Sequence, residues 1–176
     1  QGVHAGLQCG RWAGARADVS PDEIAMAALL SEIGELLLWS FAPDLPRNAL
    51  AALHAGHSPR SVQAQVDTCG FRFKDLSLKC ALIWHLPPLL TQLIHGIDNT
   101  RANLSRLCVD TARHLLTEGG SSPALASDIA EARQLIPGAA LDWLIEQLPD
   151  LDEPQRTHIA SQAAERLASQ TPNAAS

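Results

Sequence analysis

Tyrosine is missing from this chain, phenylalanine occurs three times and methionine once, so aromatic side chains make up only 4% of it. Strands draw on aromatic and β-branched residues in period-two alternation, and no convincing run of that kind is present. Lys74 and Lys79 are the only lysines, and 13 basic against 19 acidic side chains leave a formal charge of −6. That balance argues against a general nucleic-acid binder, because neutralising phosphates takes a clustered excess of cations. Cys9, Cys69, Cys80 and Cys108 have neither the close pairing of a zinc site nor the density of a disulfide-stapled secreted module, so reduced thiols in a cytosolic protein are expected. No charged start followed by an apolar run and a small-residue cleavage site opens the sequence, so export is not expected. The most apolar stretch, Ile24 to Trp39, is interrupted by Glu32 and Glu35 and falls short of the ~20 residues a bilayer span needs.

What is there is enough to fold. The 176 residues, 46% hydrophobic and 18% charged, suit one domain or one plus a small appendage with a sizeable core. Ser20, Pro21 and Glu23 combine a capping hydroxyl, a first-turn proline and a carboxylate at the capping-box position, which predicts a central core helix running on through Trp39. Ser58 and Pro59 open a segment that Gly70 closes, Ser122 and Pro123 open another, and Asp152, Glu153 and Pro154 start a last helix reaching about Ala168. Leu76, Cys80, Ile83 and Trp84 recur at helical spacing, as do Leu104, Leu107, Cys108, Leu115 and Leu116. The expected fold is therefore all-α, a multi-helix bundle. The polar break from Glu118 to Ser122 divides it into residues 1–117 and a C-terminal helical extension, 118–176, ending in a frayed tail from Thr171.

The stretch Ala28-Leu29-Leu30-Ser31-Glu32-Ile33-Gly34-Glu35-Leu36-Leu37-Leu38 resembles the signature helix of HD-type phosphohydrolases, in which a leucine pair precedes His-Asp, then Ile-Gly and an apolar run. Gly70 through Trp84-His85-Leu86-Pro87 is similar to a segment of the HD-related output domain, HDOD, and Asn103 to Leu116 resembles that family's closing helix. The resemblance covers roughly residues 4 to 117 and implies a helical bundle of HD/HDOD type. The family's earlier helices are not in this sequence, which is expected either of a piece of a longer protein or of a shortened domain.

In catalytic HD proteins, as the resemblance implies, a His, a His-Asp doublet and later His and Asp residues hold a divalent cation that activates water. Here the doublet is Ser31 and Glu32, the histidine position after Gly70 is Phe73, and the positions of a later histidine pair fall near Ile97 and Asp98. His4 alone keeps a first ligand position. These six residues mark a pseudo-active site that has given up its metal, with no catalytic or metal-binding residues and no cofactor.

Other polar residues have plainer readings. His54 and His57 belong to a helix end, His95 to a turn, Glu32 and Glu35 to a solvent-facing stripe, Cys69 and Cys80 to the core, and Trp12, Trp39, Trp84 and Trp143 to packing between helices. The function expected is a non-catalytic bacterial signal-transduction module, cytoplasmic, that meets protein partners, with a residual cleft open to a small ligand or peptide and no nucleic acid or membrane involved. The alternative is a metal-dependent phosphohydrolase of nucleotides or cyclic dinucleotides with an atypical site built from His4, Glu32, His95 and Asp98. A nucleic-acid module would instead need Arg72, Arg101, Arg106 and Arg113 to converge on one basic face.

Overall fold

The computed structural model describes residues 2–170, with side chains from Leu7 onward. The tail from Thr171 and the side chain of His4 lie outside the described residues. Eleven α-helices and no strand occur among those residues: α1 (Gly2–Ala13), α2 (Pro21–Leu30), α3 (Ile33–Phe41), α4 (Asp44–His54), α5 (Ser61–Cys69), α6 (Phe73–Ile83), α7 (Pro88–His95), α8 (Thr100–Glu118), α9 (Leu125–Leu135), α10 (Leu141–Glu146) and α11 (Glu153–Gln170). The all-α expectation holds.

The caps follow the chemistry of the sequence. Ser20 accepts the Glu23 amide at 3.5 Å to start α2, and Asn99 accepts the Ala102 amide at 2.9 Å to start α8. Gly70 and Gly96 close α5 and α7 in the left-handed region, at φ 81° and 71°, where a β-carbon would be strained. Glu23 does not complete a capping box; its carboxylate instead pairs with Arg101 of α8 at 3.1 Å.

Two apolar clusters organise the helices. The larger one joins α1, α2 and α7 to α8, α9, α10 and α11, through buried Trp12, Ile24, Leu104, Leu107, Ile129 and Leu144 among others. Trp12 is fully buried and its indole N–H donates to the Leu144 carbonyl at 3.2 Å, so the polar tip of the largest side chain in the core is satisfied. The polar break at 118–122 is a single 3-10 turn, Gly119–Ser121, and the helices after it share this core with those before it. A smaller cluster of Leu38, Ala49 and Phe73 holds α3, α4 and α6 together.

Three expectations are corrected. The helix predicted to run through Trp39 breaks at Ser31 and Glu32 into α2 and α3, bent by 41°. The Ser31 hydroxyl donates to the Ala28 carbonyl at 2.8 Å, a local bond that competes with the helical ladder and bends it. Among the described residues no single helix is long and apolar enough to cross a membrane, although this bent pair would be by length and composition together. Second, Cys9 and Cys108 form a disulfide between α1 and α8, leaving Cys69 and Cys80 as the free thiols. The expectation of four reduced thiols therefore gives way at Cys9 and Cys108. Third, Trp39 and Trp84 are 41% and 51% exposed, so neither anchors the core as Trp12 does.

Helix α3 crosses α6 at very short range. A β-carbon on Gly34 would stand 2.6 Å from the Ser77 amide nitrogen and 2.7 Å from the Phe73 carbonyl oxygen, both backbone atoms that cannot swing away. The Gly34 amide donates to the Ser77 hydroxyl at 2.9 Å, closing the crossing with a buried hydrogen bond. On the other side of the molecule His114 of α8 meets the buried Asp128 of α9, Nδ1 to Oδ2, at 2.7 Å. Burial pushes the Asp128 carboxyl above its ordinary value of 3.8, and the His114 hydrogen bond partly offsets that rise.

Three outcomes are expected. Gly34→Ala forces α3 from α6 and costs about 2 to 3 kcal/mol of stability in denaturant titrations, the upper part of the range for overpacking; an unchanged midpoint would remove the crossing from the account. Thiol titration of denatured, unreduced protein finds two reactive cysteines and not four. Because the folded Asp128 pKa is raised, its contribution to stability is fully present below about pH 4 and fades as pH rises through the higher folded value. Wild-type protein therefore loses stability relative to Asp128→Asn between those limits, and His114→Ala, which costs ~2 kcal/mol at neutral pH by stripping a buried carboxylate of its partner, enlarges the effect.

Candidate functional site

Ser31 and Glu32 stand at the break between α2 and α3, and Phe73 is the first residue of α6. The Gly34 crossing brings these two places together, and all three residues line one cleft of about 490 Å³ between α3, α4, α5, α6 and α8. Three of the six residues singled out in the sequence, Ser31, Glu32 and Phe73, therefore share one cleft. Ile97 and Asp98 are not in this cleft: Ile97 lines a separate hollow beside Leu82 and His85, and Asp98 accepts a hydrogen bond from the Asn103 side chain at 2.7 Å on the loop before α8. His95 ends α7 and His54 ends α4, as expected of residues at helix ends.

Two chemically distinct sets of side chains line the cleft. Trp39 of α3, Leu50 and Leu53 of α4 and Val62 of α5 form an apolar wall. Three of these are unusually open for large apolar side chains, Trp39 at 41%, Leu50 at 44% and Val62 at 48% exposure. Single exposed apolar residues need no explanation, but several facing one concavity mark a binding surface. The other set is charged, with Glu32, Glu35, Lys74 and Arg113.

Arg113 connects this end to the rest of α8. Its guanidinium pairs with Glu32 at 3.2 Å and with Asp110 at 2.9 Å; Asp110 in turn takes Arg106 at 3.3 Å, and Arg106 also pairs with Glu131 of α9. Glu32 is therefore already compensated, by a residue 81 positions away that no local motif would have revealed. Among the described residues Glu35 accepts only the neutral indole N–H of Trp39, at 3.4 Å. Lys74 makes no hydrogen bond or ion pair among the described residues and exerts only a weak pull on its neighbour Asp75.

A metal ion does not suit these side chains. The Ser31 hydroxyl is turned back onto Ala28, Glu32 is engaged by a guanidinium, and Phe73 is 6% exposed with its ring in the small apolar cluster. Among the described residues no three His, Cys, Asp or Glu side chains gather where they could hold a cation. The four arginines that a nucleic-acid face would need are each paired with a carboxylate: Arg72 with Asp75, Arg101 with Glu23, and Arg106 and Arg113 as above.

Fold and cleft together define a helical module with a recess of apolar and charged side chains between α3, α4, α5, α6 and α8. The family model of the HDOD domain matches residues 1–99, more than half of the chain, and the protein belongs to the HDOD family. The match ends at the loop before α8, so Arg113 is supplied to the cleft from beyond it. No curated protein and no solved structure matches the chain.

Proposed function

We propose that this HDOD protein is a non-catalytic module of bacterial signal transduction that works by offering its cleft to a partner. The observation that carries this reading is the state of the three residues meeting at the inner end of the recess. Where the HD resemblance implies metal ligands, there stand a hydroxyl bonded to its own helix, a carboxylate neutralised by Arg113 and a buried phenyl ring. Hydrolysis of a phosphoester in that fold needs a cation with an open position for water, and of these three groups only the Glu32 carboxylate is a ready ligand for one. Meanwhile the apolar wall of Trp39, Leu50 and Val62 remains open to solvent, as suits a surface that acts by being covered.

Purified protein is expected to carry no stoichiometric Mn, Fe or Zn by elemental analysis and to leave cyclic dinucleotides and nucleotide monophosphates intact. Bound metal together with phosphodiesterase activity that disappears in Glu32→Ala would establish the enzymatic alternative instead.

A further inference from the structure

The proposed function leaves open what enters the cleft, and its charges narrow the choice. Two of the four charged groups there, Glu32 and Arg113, satisfy each other at 3.2 Å. The other two are left over with opposite signs: Glu35 meets only a neutral indole N–H, and Lys74 has no ion-pair partner among the described residues. An occupant of one sign, such as a phosphate ester, would be attracted by one of these and repelled by the other. A purely apolar one would strand both away from water, at the cost that accompanies any unpaired buried charge. The occupant that satisfies both carries a base and an acid on either side of an apolar group, and the apolar group has its place ready against Trp39, Leu50, Leu53 and Val62. A volume of about 490 Å³ takes a few side chains, and not a whole folded domain.

Resting on the non-catalytic reading above, we infer that the cleft is a docking site for a peptide segment of a partner protein, in which one large apolar side chain is flanked by an acidic residue that meets Lys74 and a basic residue that meets Glu35. The apolar side chain supplies the affinity by displacing water from the wall, and the two outer charges fix which way the segment runs. Glu32 and Arg113, already paired, stay out of the contact and hold the inner end of the recess in shape.

The test is selection of random 12-residue peptides displayed on phage against the immobilised 176-residue protein, followed by fluorescence anisotropy with the synthetic enriched peptide. The expected sequences share an aromatic or large aliphatic residue with an acid on one side and a base on the other. Leu50→Asp and Lys74→Glu, both at exposed positions that the fold does not need, each weaken binding tenfold or more. Replacing the acid of the peptide by lysine restores binding to Lys74→Glu and abolishes it for the wild type. The inference is overturned if selection yields no common sequence, if enriched peptides bind Leu50→Asp and Lys74→Glu as well as wild type, or if sedimentation velocity shows a wild-type dimer that Leu50→Asp dissociates, which would make a second copy the occupant. Metal content and phosphodiesterase activity of the same preparation separate the two readings. Inert, metal-free protein without a cleft-binding peptide sinks this inference alone, whereas a metal-loaded active enzyme sinks the proposed function beneath it.

Discussion

Helix α3 can lie where it does because residue 34 has no side chain. With the backbone of α6 only 2.6 to 2.7 Å from where a β-carbon would be, the two helices approach as closely as a glycine allows, and the Ser77 hydroxyl converts that contact into a hydrogen bond. The rest of the recess depends on this placement. Through it Phe73 of α6 comes to the same cleft as Ser31 and Glu32, which Trp39, Leu50 and Val62 also line. The apolar cluster beneath is small, three buried side chains with a few half-buried neighbours, so the crossing does work that in the main core is spread over more than twenty residues.

Features with local causes were legible in the sequence. Ser20 ahead of Pro21 and Gly70 each announce a helix end through the conformation or hydrogen bond they supply, and both are found in those roles. The order of Leu-Leu, Ile-Gly and Trp-x-Leu-Pro pointed to the family that the chain belongs to, and it brought Ser31, Glu32 and Phe73 to one place. The break at Ser31 was missed because apolar spacing carries on through it; only a serine able to bond backwards, three residues before a glycine, distinguished it from an unbroken helix. Features made by distant residues left no trace in the sequence. Arg113 beside Glu32, Cys9 against Cys108 and the joining of α11 to the core of α1 all depend on how helices fold back on one another, and no spacing encodes that.

The recess combines neutral and compensated groups. Phe73 and Ser31 are uncharged, and the Glu32 carboxylate has a guanidinium beside it. Around them lie apolar side chains that stay open to water and two charges, Glu35 and Lys74, without an ion-pair partner among the described residues.

The row of ions along α8, from Glu131 through Arg106, Asp110 and Arg113 to Glu32, has a consequence for how the two ends of the molecule are held together. Each link is partly open to solvent and is worth no more than about 1 kcal/mol. Parting any one of them would therefore cost the fold little, and the row matters as a set that ties α9, α8 and the start of α3 together. Salt screens exposed pairs of this kind, so that tie slackens as ionic strength rises.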